Sequence, residues 1–335
     1  MTPQRLEQIF DQARTRRLLV IGDLMLDEFV WGKVGRISPE APVPVVEVTG
    51  ESFYPGGAAN VARNLREFTD GVTVLGAVGN DASGKRLREL LADEKIDLLS
   101  PVELPDFQTI VKTRIIARHQ QVVRVDREQI AGLSDQQTGK VVAAVSEKLS
   151  ELDAIIFEDY GKGFIGGGLV SEIARATATA GKIVTADPNP RNPIDWKNLT
   201  AVKPNRSEAF LAAGITQRDP DAPPEKDPDL RKAGDALLKK WDARQILITL
   251  GEHGMMLFQA GQSPHHIPTK ARQVFDVSGA GDTAIALYTL ALGSGATPIE
   301  AAEIANHASA VVVGKLGTAT VTRDELMASF RDDES

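Results

Sequence analysis

The sequence predicts an α/β fold: a doubly wound, mostly parallel sheet with a small β-sheet lid. Three observations carry the architecture. Short apolar runs recur at 17–23, 72–76, 154–157, 183–186 and 245–249, as in strands buried on both faces of a parallel sheet. Amphipathic helical patterns separate these runs, which is the rhythm of βα units. Two β-rich segments, 29–48 and 109–126, break the rhythm without any helical period, so a second, smaller sheet is expected.

The elements follow in order. Residues 1–17 place Leu6, Ile9, Phe10 and Ala13 on one face of a short helix and contain no apolar leader core. The first strand, Arg17-Leu18-Leu19-Val20-Ile21-Gly22-Asp23, is followed by the β-rich segment with Pro39, Pro42 and Pro44. Helices are expected at 58–68, 84–93, 136–149, 167–180 and 230–241, and two more at 282–292 and 299–313. Residues 109–126 read as a hairpin turning around His119-Gln120. Lys112, Arg114, Ile116 and Arg118 then point to one side, and Arg124 and Asp126 share a face of the other arm. The Pro- and Asp-rich stretch 218–229 is expected to be an exposed loop. The two β segments should pair as a lid over the sheet's carboxyl edge. The chain thus divides into an α/β core (1–28, 54–107 and 127–335) and a lid (29–53 and 108–126).

Composition narrows the function. The chain has 335 residues, 42% hydrophobic and 25% charged, with a net charge of −8. That excludes a disordered or collagen-like chain and argues against a nucleic-acid coat or a membrane-surface binder. No stretch approaches a membrane span, so a cytoplasmic protein is the default. Cysteine is absent, which removes disulfides, thiolate metal sites and Cys nucleophiles. Five scattered histidines give no metal spacing, and His253 and His307 are expected to be structural or solvent-facing.

Ligands of open α/β sheets bind at the carboxyl ends of strands. Asp23, Asp27, Glu158, Asp159, Asp187, Asn205, Thr249 and Gly251 stand at such ends, with Glu158 and Asp159 pointing opposite ways if the strand persists. The sharpest motif is Asp276-Val277-Ser278-Gly279-Ala280-Gly281-Asp282-Thr283, which opens into an apolar helix. Backbone N–H groups at such a helix start make an anion hole. Asp282 there either accepts a proton from an attacking hydroxyl or simply complements the helix dipole. The motif is neither a Walker A loop nor GxGxxG. A second motif, Tyr54-Pro55-Gly56-Gly57-Ala58-Ala59-Asn60, lets a ligand approach the backbone and offers Asn60 to sugar hydroxyls, or is a tight strand-to-helix turn. A third, Lys203-Pro204-Asn205-Arg206-Ser207-Glu208, gives Asn205 and Glu208 either to a water shell around Mg²⁺ or to a capping box, and both can hold together.

In this order and spacing the three motifs resemble the ribokinase/phosphofructokinase-B family of carbohydrate kinases. The resemblance implies ATP-dependent phosphorylation of a hydroxyl, with Asp282 as base and Gly279, Ala280 and Gly281 as anion hole. A narrower likeness covers nearly the whole chain. Residues 36–46, His119-Gln120-Gln121-Val122-Val123-Arg124-Val125-Asp126, Asp159-Tyr160-Gly161-Lys162-Gly163 and Val313-Gly314-Lys315-Leu316-Gly317-Thr318 look like D-glycero-β-D-manno-heptose-7-phosphate kinases. Those often occur fused to a nucleotidyltransferase; with its end at Ser335 this chain resembles the stand-alone form. The reaction implied is transfer of the ATP γ-phosphoryl to O1 of heptose 7-phosphate, in ADP-heptose synthesis for lipopolysaccharide core.

The resemblance assigns roles. Asp23 and Asp27 meet sugar hydroxyls, with Asp27 alternatively a lid hinge. Lys112, Arg114, Arg124 and Asp126 suit a sugar phosphate, or else protect a sheet edge. Arg36 and Lys162 are candidates for the 7-phosphate, and Asp159 lies near Mg²⁺ or the phosphates. Residues 249–254, with Thr249, Gly251 and Gly254, resemble the nucleotide loop, and Asn306 and Val313 flank adenine. The sequence departs from the heptose kinases after Asp187-Pro188, where Asn189-Pro190-Arg191-Asn192 stands. Arg191 is the expected replacement for their lysine. Rival expectations are a kinase of fructose, ribose or a hexose phosphate, and a non-catalytic nucleotide or sugar sensor. A nicotinamide oxidoreductase is disfavoured, because Gly22-Asp23-Leu24-Met25 stands where GxGxxG would. A homodimer through the lid is expected, with the apolar strand 43–48 either at the interface or packed within the lid.

Overall fold

The computed structural model describes residues 1–331 except 101, 103, 119, 219–221, 272–273 and 316. The expected turn residue His119 and the quoted Leu316 therefore lie outside the described residues. The chain runs α1 (Pro3–Ala13), β1 (Arg17–Gly22), β2 (Leu24–Ile37), β3 (Pro44–Gly57), α2 (Ala58–Arg66), β4 (Gly71–Leu75), α3 (Ala82–Asp93), β5 (Asp97–Leu99), β6 (Ile110–Ala117) and β7 (Gln120–Arg127). It continues α4 (Asp135–Lys148), β8 (Ala154–Glu158), α5 (Gly167–Thr179), β9 (Ile183–Asp187), β10 (Ala201–Val202), α6 (Arg206–Ala213), α7 (Pro228–Trp241) and β11 (Gln245–Thr249). It closes with β12 (Met255–Gln259), β13 (His265–Ile267), α8 (Ala280–Gly293), α9 (Pro298–Val312) and α10 (Arg323–Arg331).

The described strands form two sheets. The large one has the order β13-β12-β11-β10-β9-β8-β1-β4-β5. It is parallel from β5 to β11, and β12 and β13 add an antiparallel edge. Both faces are covered, as the continuous apolar runs require. Along β1, Leu18 and Val20 enter one core with α1, α2, α8, α9 and α10, while Leu19 and Ile21 enter the other with α4 to α7. Helix α8 is buried continuously from Asp282 to Ala291, which holds its N-terminal turn at the sheet's carboxyl edge.

The lid has the order β3-β2-β6-β7. Its register sets Asp27 against Lys112 and Tyr54, Lys112 against Asp126, and Arg114 against Phe29 and Arg124. One face therefore carries Asp27, Lys112, Arg114, Arg124 and Asp126 together. The expected row does not reach Arg118. A bulge falls between Ile115 and Ile116, β6 ends at Ala117, and Arg118 turns with φ 52°. The expected exposed loop at 218–229 is largely exposed where it is described, with 219–221 outside the described residues, and departs from the expectation only at its end. Asp227 is buried, accepts a hydrogen bond from the Arg206 guanidinium at 2.6 Å and caps α7, which starts at Pro228.

Candidate active site

Two contiguous cavities meet at the N-terminus of α8. One, of about 670 Å³, is lined by Thr249, Gly251, Gly254, Ala284, Asn306 and Val313. The other, of about 660 Å³, is lined by Glu158, Asp159, Asp187, Lys203, Glu208 and Asp282, among others. Thr249, Gly251 and Gly281 line both. All the residues expected at the nucleotide are thus brought together, Asn205 included.

Asp282 is the third residue of α8, after Gly279 at the N-cap with φ 79°. A β-carbon on Gly279 would lie 2.9 Å from the Asn60 amide nitrogen, so the glycine is needed for both conformation and space. Both Asp282 oxygens accept hydrogen bonds. Asn60 Nδ2 donates to Oδ2 at 2.7 Å, and the Tyr160 hydroxyl donates to Oδ1 at 2.8 Å. Burial is the largest influence and lifts the Asp282 carboxyl from 3.8 to about 6, against the two hydrogen bonds that lower it. The Asn60 amide N–H, expected at sugar hydroxyls, is given to Asp282, and its Oδ1 is buried without a partner. Tyr160 was quoted in a motif but given no role, and nothing local marks it. Of the expected anion-hole donors, the Ala280 N–H is engaged by the Val277 carbonyl at 3.3 Å. Gly281 stays open to both cavities, and a β-carbon there would sit 3.6 Å from Lys203 Nζ.

Lys203 is the second residue the motifs did not single out. It is buried and pairs with Asp187 at 2.7 Å. Arg191, expected as the local cation, is exposed; Lys203 is the cation beside Asp187. Around this one ammonium stand Glu158, Asp187, Glu208 and Asp282. Burial pushes the Glu158 carboxyl well up, and Asp187 and Asp282 add to it. The strand does not persist: β8 ends at Glu158, the alternation ends with it, and Glu158 and Asp159 both line the cleft. Burial also raises Asp159, to about 7. Its oxygens accept from the Gly161 N–H at 2.8 Å and the Asn192 amide at 3.0 Å.

Asn205 and Glu208 realise the capping box: the Asn205 side chain accepts from the Glu208 N–H at 2.9 Å, and Glu208 accepts from the Asn205 N–H at 2.8 Å. They also line the cleft. The surplus of carboxyls over ammonium, with Glu158 Oε2 buried and unpartnered, fits a divalent cation in the cleft. Among the described residues no three acidic or histidine side chains converge as a metal cage, so such a cation would need oxygens from its ligand or water.

Asp23 spends its carboxylate on the chain: Oδ2 accepts from the Tyr160 and Lys162 N–H groups at 2.9 and 3.0 Å, and Oδ1 from Phe164 N–H at 3.3 Å. Three accepted bonds make it shape the loop that carries Tyr160 and leave little acceptor capacity for a diol. Asp27 accepts from Arg114 at 2.6 Å. Gly56 and Gly57 serve fit: a β-carbon would meet Asp27 Oδ2 at 2.6 Å or the Asp23 carbonyl at 2.5 Å. Lys112 and Lys162 both pair with Glu128, and Arg124 grips Asp126 through two bonds. Arg36 does not join this group. It is exposed near the distal end of β2, roughly 30 Å along the strand from Asp27 at ~3.3 Å per residue. Asn306 gives its amide N–H to the Pro268 carbonyl at 2.8 Å while lining the nucleotide-side cavity.

Comparison with known proteins agrees with this geometry. The chain is 40% identical over 316 residues to a protein named "Bifunctional protein HldE" from Desulfatibacillum aliphaticivorans, covering 94% of this chain and 63% of that one. It is 40% identical to the protein of the same name from Geobacter sulfurreducens, covering 98% and 66% respectively. The chain thus spans just under two thirds of the length of these relatives. Phosphofructokinase-2 from Escherichia coli in complex with potassium superposes with a TM-score of 0.75 at 20% identity, covering 96% of this chain and all of that one. Ribokinase from Thermotoga maritima superposes at 0.69 and 20% identity, covering 94% and 99%. The ribokinase-like fold is therefore confirmed. The profile described as "pfkB family carbohydrate kinase" matches residues 15–325, and the chain belongs to that family and is a carbohydrate kinase.

Proposed function

We propose that this kinase transfers the ATP γ-phosphoryl group to O1 of D-glycero-β-D-manno-heptose 7-phosphate, giving the 1,7-bisphosphate. The observation that carries a phosphorylated sugar is the charged face of the lid, where Lys112, Arg114 and Arg124 stand in register beside core Lys162. The segments quoted above support the heptose. A nucleotide fits the cavity beside Thr249, Gly251 and Asn306, with its phosphates toward Gly281 and Lys203.

In the reaction Asp282 accepts the proton of the sugar O1–H as that oxygen bonds to the γ-phosphorus. The bond from phosphorus to the bridging oxygen breaks, and ADP leaves with its electron pair. Asn60 and Tyr160 fix the base, and the Gly281 backbone and Lys203 face the incoming negative charge. Mg²⁺, held through water by Asn205 and Glu208, would neutralise charge on the ATP phosphates. Lid closure excludes water from the transfer.

A homodimer through the lid is part of the reading. Val43, Val123 and Val125 are exposed on it, which suits a second copy of the chain. No helix of the described residues is long and apolar enough to cross a membrane, and a cytoplasmic reaction, where ATP is at hand, is part of the proposal.

The test is incubation with Mg-ATP and heptose 7-phosphate, with fructose 6-phosphate, fructose and ribose in parallel, and product identification by mass and phosphorus NMR. A 1,7-bisphosphate formed at least tenfold faster than any other product is expected. Faster turnover of another sugar overturns the heptose assignment.

A further inference from the structure

We infer that Glu128 is an internal stand-in for the substrate's phosphate, an exchangeable anion that keeps two lysines converged and sets the affinity for phosphorylated sugars. The inference deepens the sugar-phosphate reading above and rests on it.

Glu128 follows β7 at the root of the lid. Its Oε2 lies 2.6 Å from Lys162 Nζ, and its Oε1 lies 3.3 Å from Lys112 Nζ. Lys112 belongs to lid strand β6, and Lys162 to the core loop after β8. One carboxylate thus joins ammonium groups from both parts of the molecule. The root is pinned beside it: the Ala131 N–H donates to the Lys162 carbonyl at 3.0 Å, and the Gln108 N–H donates to Gln129 Oε1 at 3.0 Å.

The other lid cations are committed. Arg114 is held by the buried Asp27, and Arg124 by the two-bond grip of Asp126. Lys112 reaches Asp126 only at 3.9 Å. Among the described ion pairs Glu128 is thus the one carboxylate within 3.5 Å of either ammonium, and the two lysines share its close negative charge. A phosphate dianion in place of Glu128 balances the pair. Two oxygens of a phosphate can be clasped by ammonium groups that already clasp two oxygens of a carboxylate.

Exposure says which partner moves. The lysine side chains are 14% and 15% exposed, and Glu128 is 31% exposed. The ammonium groups are sheltered and aimed, and the carboxylate has a path to solvent. The pair is also tied to the reacting end. Lys162 lies two residues from Tyr160, whose hydroxyl holds Asp282, and Asp23 binds the N–H groups of both. A ligand that anchors its phosphate at Lys162 is thereby registered against the base.

The test uses the full chain and two probes. The first is inorganic phosphate, titrated calorimetrically at low salt, which does not depend on which sugar is the substrate. Glu128→Gln should bind phosphate at least fivefold more tightly than the unchanged protein. Adding Lys112→Met and Lys162→Met should return affinity to or below the starting value. The second probe is steady-state kinetics with the best sugar phosphate found above: Glu128→Gln should lower its KM severalfold and leave the KM for ATP unchanged. Equal phosphate affinity with and without Glu128, or a gain that survives loss of both lysines, overturns the inference. A gain in phosphate affinity in a protein that turns over no sugar phosphate supports the anion subsite and removes the substrate reading instead.

Discussion

Replacing Asp282 by Asn separates two things that this carboxylate does. In the proposed mechanism it is the base, so its loss should lower kcat by at least the 10²–10⁴ typical of general-base removal. It is also a buried charge that the fold tolerates at a cost. Its carboxyl is raised from 3.8 to about 6. Between those values the folded chain binds a proton that the unfolded chain has released, so Asp282 makes stability fall as pH rises from about 4 to 6, with no further loss above. The full effect is (6 − 3.8) × 1.36, or about 3 kcal/mol. The neutral amide removes that pH-dependent part, while rearranged hydrogen bonds to Asn60 and Tyr160 offset some of the gain. Urea unfolding of both proteins at pH 4 and pH 8 measures it. The stability of Asp282→Asn relative to the parent should be about 2–3 kcal/mol higher at pH 8 than at pH 4. The same difference at both pH values, or more than a tenth of parental kcat retained, would refute the reasoning.

Tyr160→Phe removes a hydrogen bond that favours ionised Asp282. The acid limb of the kcat profile should move upward, so the loss is larger at pH 6.5 than at pH 8.5, with the KM for ATP unchanged. Lys203→Met leaves Asp187 and Glu158 buried without their ammonium and should cost ~3–5 kcal/mol in denaturant unfolding; a loss below 1 kcal/mol would contradict the pairing. Gly57→Ala forces a side chain at φ 58° to within 2.5 Å of the Asp23 carbonyl, a cost of roughly 2–4 kcal/mol readable as a lower thermal midpoint.

How much of this was legible depended on how far apart the partners lie. Strands β1, β8, β9 and β11 announce themselves because a strand covered on both faces must be apolar throughout. The two residues of β10 and the short strands β5 and β13 are too brief to show a period. The place of Asp282 in the cleft was legible because glycines beside an acid at a helix start mark an anion-binding turn. Its two partners were not, since Asn60 and Tyr160 lie 222 and 122 residues away and meet it only through the sheet order. Lys203 and Glu128 were hidden for a different reason: a single Lys or Glu is ordinarily a solvated surface residue, and only packing shows which anion or cation it faces. The lid's charged face was readable by alternation, until the bulge that removes Arg118 from it.

The join between β3 and α2 has a mechanical consequence. The strand ends at Gly57 and the helix begins at Ala58, with no linker to absorb a tilt of the lid. Any swing of β3 must be taken up at Gly57 or passed into the first turn of α2, where Asn60 holds one oxygen of Asp282. The lid sheet is thus joined to Asp282 by a short mechanical path: a tilt of β3 that Gly57 does not absorb would reach the Asn60 amide and the oxygen it holds.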